Sequence, residues 1–213
     1  MLNRARAAVL IVAAISLAAC GNIHPGDAAV VDGHSISMEK FDKTARVFCL
    51  DALAGSTGAT KPDNAAVRRG TVVRMVSLVV ARDLADEEGV VPKPSDYEVS
   101  PERKAQLPKQ LPGVDVDDAT AVLEDVQELS LIAVALAAKA TGAVPTEENL
   151  GQFNEAGMAA IQAAFNDHDV KFAPRFGLSP SLKDLGPTGS LSVANVDFEA
   201  PTGDELPAVL HCS

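Results

Sequence analysis

Apolar and polar positions along the chain alternate in a way that changes period several times, and each change marks an element. Ala28-Ala29-Val30-Val31 and His34-Ser35-Ile36 are short extended runs on either side of Asp32-Gly33, a dipeptide that favours a hairpin turn. Ser37 then offers an N-cap, with Lys40 rather than Glu at the third helical position, so the capping box is incomplete. Between Met38 and Leu53, Phe41, Ala45, Phe48 and Ala52 recur at helical spacing. Ala54 to Pro62 reads as a Gly/Ser/Thr loop. A second helix is predicted from Asp63 to Glu88 with Gly89 as its stop; Val72, Val76, Val79 and Leu84 mark one face, although its many valines lower helix propensity.

Val90 to Gly113 holds five prolines, Pro92, Pro94, Pro101, Pro108 and Pro112, a density that predicts only short turns. Asp115-Val116-Asp117-Asp118 places negative charge at a helix start, and Val122, Val126, Leu129, Ile132 and Leu136 follow as a stripe. Leu123, Leu131 and Val134 make this helix apolar on further faces, which predicts a central place in a bundle. Lys139 and Gly142 fit its C-terminus. Thr146 is the expected cap of a last helix whose one face carries Leu150, Phe153, Gly157, Ile161 and Phe165, and Asp169 to Ala173 reads as a strand. The final forty residues are rich in Pro, Gly and Ser, with Ser190 to Val196 as a short extended piece. No internal repeat is visible.

The N-terminus follows a different logic. Arg4 and Arg6 precede an apolar run from Ala7 to Ala19 broken only by Ser16, too short for the ~20 residues that a membrane-spanning helix needs. A short apolar run behind a basic start, ending in small residues, reads as a cleaved signal. Leu17-Ala18-Ala19-Cys20 resembles the bacterial lipobox, which implies cleavage before Cys20 and lipid on its thiol, two or more chains being needed for firm anchoring. The competing reading is an ordinary signal peptide with an incidental cysteine. The expected organisation is a signal peptide at 1–19, a lipidated tether at 20–27, a helical domain at 28–177 and a C-terminal extension at 178–213.

The formal charge is −11, and loss of the signal removes Arg4 and Arg6 and no acid, so the processed chain is more acidic still. General electrostatics therefore exclude nucleic acid and anionic lipid surfaces as partners. Aromatic residues make up 4%, with no Trp and a single Tyr97, against an aromatic sugar or peptide groove. With Cys20 taken by lipid, Cys49 and Cys212 remain as an even pair in an oxidising compartment, and a disulfide between them is expected, two free thiols being the alternative.

No catalytic constellation stands out, and the chain is not expected to be an enzyme or to carry a cofactor. There is no Gly-x-Ser-x-Gly, P-loop or dinucleotide fingerprint. Asp117-Asp118 and Glu147-Glu148 sit at predicted helix starts, where capping explains them. Cys49 as a nucleophile is incompatible with the expected disulfide. His24, His34, His168 and His211 show no metal-ligand spacing, and within Asn166-Asp167-His168-Asp169 neighbouring side chains diverge, so His168 reads as part of a solvated helix end and no metal site is expected.

Three segments taken in order resemble the SurA-like foldase and chaperone family, in the lipoprotein form common in actinobacteria. They are Ala28-Ala29-Val30-Val31-Asp32-Gly33-His34-Ser35-Ile36-Ser37, then Asp169-Val170-Lys171-Phe172-Ala173-Pro174-Arg175-Phe176-Gly177, then Ser190-Leu191-Ser192-Val193 with Leu206-Pro207-Ala208 and Cys212. The chain departs from the pattern at Ala173, where asparagine is usual. The resemblance implies a mainly α, SurA N-terminal-like domain, with a small β-sheet pairing the N-terminal hairpin to a C-terminal strand and an apolar groove for unfolded clients. Full-length members insert a prolyl isomerase domain before the last helix; here Gly142 to Pro145 leaves no room for one, so holding without isomerisation is implied. Val72, Val76, Val79, Val122, Val126 and Leu129 are the candidate client-binding residues, with pure core as the competing reading of each. The expected partners are the membrane, through lipid on Cys20, and unfolded or exported polypeptides. The alternative is a structural or assembly lipoprotein with one defined envelope partner.

Overall fold

In the computed structural model, residues 23–55, 62–182 and 212 are described. The order is β1 (Asp27–Val31), β2 (His34–Ser37), α1 (Met38–Gly55), α2 (Asn64–Glu88), α3 (Pro94–Tyr97), α4 (Pro101–Gln110), α5 (Val116–Thr141), α6 (Leu150–Ala164) and β3 (Val170–Phe172), with 3-10 turns at Phe165–Asp167 and Pro174–Phe176. The fold is mainly helical with a small three-stranded antiparallel sheet. The expected signal peptide at 1–19, Cys20, Ser190 to Val196 and most of the expected 178–213 extension lie outside the described residues.

Asp32 and Gly33 both have positive φ, 48° and 85°, the backbone that a two-residue primed turn requires and that Asp and Gly tolerate. The turn fixes Val31 opposite His34 and Ala29 opposite Ile36. β1 is the central strand, and on its other side Ala29 pairs with Phe172 and Val31 with Val170. Ala29, Val31, Ile36, Val170 and Phe172 thereby share the buried face. An irregularity between Asp27 and Ala29 lets Ala28 be buried next to Ala29, out of strict alternation.

The helices lie on that face. Ser37 Oγ accepts from Lys40 N at 3.1 Å and starts α1; Phe41, wholly enclosed, meets the Phe176 ring edge-on at 4.8 Å. Helix α2 begins where Asp63 Oδ1 accepts from Ala65 N at 2.8 Å and ends on Gly89 at φ 65°. It is the hub of the core, touching α1, α5, α6 and β1. The α5 helix is capped by Asp115, whose carboxylate accepts from Asp117 N and Asp118 N, and by Gly142 at φ 66°. Its partner is α6, which crosses it so closely at Gly157 that a Cβ there would stand 1.8 Å from Ala133 O.

Three expectations about the helices need correction. The proline-rich stretch is not limited to turns, since α4 runs for ten residues. Pro101 occupies N1, where a missing N–H costs nothing; Ser100 Oγ caps Arg103 N at 3.3 Å; Pro108 falls in the final turns on an exposed face. Buried Leu107 and Leu111 hold the helix down, so packing outweighs proline count. Thr146 is not the cap of α6 either. Thr146 O accepts from Asn149 N and Leu150 N, and Asn149 Oδ1 accepts from Thr146 N at 2.6 Å, so 146–149 is a turn and Asn149 is the N-cap. Leu150, expected on the buried face, is 48% exposed, while Gly157, Ile161 and Phe165 are buried.

Candidate functional site: an apolar cleft beneath helix α4

Apolar residues gather in two separate clusters. The larger one joins the sheet, α1 through Phe41 and Ala45, α2, α5 and α6; the smaller one consists of Val47, Leu107, Leu111, Ala119 and Val122 and joins α1, α4 and the start of α5. Beside the smaller cluster runs a cleft of about 590 Å³, within the range of sites that take small ligands or a few side chains. Its floor is Val47, Leu107, Leu111 and Val122; Phe48, Leu123 and Val126 form half-buried walls. Asp51, Arg103 and Lys109 stand at its edge, and the Arg74 guanidinium lies 4.5 Å over the Phe48 ring.

Helix α5, which carries Leu123 and Val126, is tied to its neighbours by polar contacts outside the cleft lining. Arg82 Nε donates to Glu128 Oε1 at 2.9 Å and Arg82 Nη2 to Glu128 Oε2 at 2.5 Å, and Asp125 Oδ1 accepts from the same Nη2 at 3.1 Å. Lys40 adds an ion pair to Asp125 at 3.2 Å. These contacts tie α2 and α1 to α5, and the hydrogen bonds to Glu128 raise the Arg82 pKa above its ordinary value. Glu128, only 9% exposed at its side chain, is thus a buried carboxylate with its partner in place. The α4 side carries less: Lys104 reaches Glu124 at 3.8 Å, and Glu124 Oε1 accepts from Val99 N at 3.2 Å.

Of the candidate client-binding residues, Val72 and Val76 are fully enclosed and Leu129 is buried in the main cluster, so these three are core side chains with no surface to offer. Val79 packs half-buried against the same cluster, away from the cleft. Val122 and Val126 do line the cleft, the first as its floor and the second as a wall. The residues that the sequence reading missed are Leu107 and Leu111, hidden in the proline-rich stretch.

His168 is also corrected. Its Nδ1 lies 2.5 Å from Asp32 Oδ2, and Asp169 N donates to Asp32 Oδ1 at 2.7 Å, so the hairpin turn is tied to the entry of β3 rather than His168 being solvated alone. The bond from His168, and next the one from Asp169 N, hold the Asp32 carboxyl below its ordinary pKa. The partners are 136 residues apart, and no local signal could have joined them.

No protein-family model, curated protein or solved structure matches the chain. Among the described residues no helix is long and apolar enough to cross a membrane. The Sγ atoms of Cys49 and Cys212 stand at disulfide distance, with Cα atoms 5.4 Å apart, and Cys212 N donates to Pro62 O at 3.2 Å. Residue 212 is thereby placed against α1 and the approach to α2.

Proposed function

We propose that this chain is an extracytoplasmic lipoprotein, anchored through lipid on Cys20, whose SurA N-terminal-like domain holds unfolded or exported polypeptides without isomerising them. The observation that carries the reading is the cleft beneath α4: an apolar floor, aromatic and aliphatic walls with Arg74 stacked on Phe48, and Asp51, Arg103 and Lys109 exposed at its edge. An extended segment places apolar side chains in such a cleft while its backbone stays near the edge. No catalytic step is assigned. The test is aggregation of a chemically denatured client with the oxidised and the reduced protein, alongside Val126→Glu and Leu123→Glu. Suppression that both charged variants abolish, with their folds intact, supports holding in the cleft; no suppression by the unmodified protein rejects it. Radiolabelled palmitate incorporation that Cys20→Ser eliminates tests the anchor separately.

A second reading, a lipoprotein dedicated to one envelope partner, is favoured by Val91, Val144 and Leu150. These exposed large hydrophobics lie after α2 and between α5 and the first residue of α6. Crosslinking from position 144 in membranes separates the readings, since a dedicated partner appears as one species of fixed stoichiometry.

A further inference from the structure

We propose that Asp32, Asp83 and His168 form a binding site for one divalent transition-metal ion. The three come from separate elements: the β1–β2 turn, the exposed side of α2, and the link from α6 to β3. One ligand atom from each lies within 4.8 Å of the others. A tetrahedral ion with bonds of about 2.0–2.1 Å sets its donors roughly 3.4 Å apart, so closure on a metal requires movements of about an ångström.

The bonding around each residue leaves that movement free. Asp32 is anchored through Oδ1 by Asp169 N, and its left-handed backbone at φ 48° aims the carboxylate at the β3 entry, leaving Oδ2 to face the imidazole. A cation takes the place of the hydrogen bond between Oδ2 and His168 Nδ1. Among the described residues Asp83 makes no hydrogen bond or ion pair, so its carboxylate turns without breaking a contact. Two carboxylates this close repel each other, and a dication relieves the repulsion. One imidazole with two carboxylates suits zinc and its neighbours in the first transition row rather than magnesium or calcium, which take oxygen ligands. Water completes the coordination from the open side. The bound ion clamps the hairpin turn and β3 onto α2, so its binding stabilises the fold as well.

The probe is zinc chloride titrated calorimetrically into the whole chain with Cys49 and Cys212 oxidised, with magnesium chloride in parallel and melting curves for each state. One zinc per chain, a raised Tm and weaker binding of magnesium are expected. Asp83→Asn should lose about tenfold or more in zinc affinity while its metal-free Tm stays put. His168→Gln should show the same loss of affinity, and His34→Gln, at the neighbouring turn position, should show none. Absence of zinc binding, equal binding of magnesium, or unchanged affinity in Asp83→Asn or His168→Gln overturns the assignment.

Discussion

Gly157→Ala is the sharpest test of how the helices pack. The added Cβ would lie 1.8 Å from Ala133 O, 2.3 Å from its carbonyl carbon and 2.6 Å from its Cα. A carbon and a carbonyl oxygen sit comfortably at about 3.3 Å or more, so α6 has to retreat by roughly 1.5 Å. Nothing at the contact can yield, because the obstacle is main chain within the hydrogen-bonded ladder of α5 rather than a flexible side chain. The retreat also loosens Ile161 of α6 and Phe165 at the start of the following 3-10 turn, both of which are buried. Overpacking costs about 1–3 kcal/mol and more where the backbone must shift, while alanine returns up to about 1 kcal/mol in helix propensity. The net expectation is a loss of about 2 kcal/mol, or about 4–8 °C in Tm for a chain of this size.

The control is Gly70→Ala, inside α2 two turns from its start, where a Cβ meets nothing within 4 Å. Only the propensity gain remains there, so a stabilisation of about 0.5–1 kcal/mol is expected. Urea denaturation followed by circular dichroism measures both, and each variant should shift its midpoint with the slope unchanged. Equal stabilisation by the two substitutions would refute the backbone contact between α5 and α6.

Arg82→Ala leaves the Glu128 carboxylate buried without its partner and should cost about 2 kcal/mol in urea denaturation; Glu128→Gln in the same chain should recover part of that, and full additivity would count against the pair. Asp32 has a folded-state pKa below its unfolded value, so its contribution is complete above the unfolded pKa and is lost as pH falls through the folded one. Asp32→Asn should therefore flatten the acid limb of a Tm–pH profile, and an unchanged limb rejects the His168 and Asp169 contacts as the cause. Leu107→Ala removes the main anchor of α4 and should cost about 2–3 kcal/mol. Amide exchange should then quicken in 101–110 before it does in α2, whereas uniform quickening would mean that α4 is not a separable unit.

The elements that could be read from the sequence are those whose ends carry their own chemistry. Asp63 with Gly89 and Asp115 with Gly142 bracket α2 and α5 because a carboxylate caps free N–H groups and glycine takes the left-handed C-cap. Asp32-Gly33 marks the hairpin for the same local reason. Where the reading failed, the deciding contacts carry no periodic signal. Thr146 and Asn149 are both good capping residues, and their mutual hydrogen bonds close a turn that leaves Asn149 at the helix start. Proline count argued against α4, yet Leu107 and Leu111 find buried sites that outweigh it. Two of the six candidate binding residues, Val122 and Val126, fell on the cleft because a stripe along α5 contains both core and cleft positions, and periodicity does not say where one gives way to the other.

The cleft itself follows from a mismatch of lengths. At 1.5 Å per residue, α5 is about 39 Å long and α4 about 15 Å. Pro101 sets where α4 begins, and Pro112, just past its end, opposes extension, so α4 cannot cover the apolar face that α5 and α1 offer it. Leu107 and Leu111 seal one part of that face over Val47, Ala119 and Val122. Phe48, Leu123 and Val126 are left half-buried along the uncovered part, and those are the cleft walls. A longer lid would have buried these side chains in the smaller cluster, and a chain without α4 would have exposed the floor. The prolines that argued against a helix thus set the size of the opening by keeping the helix short.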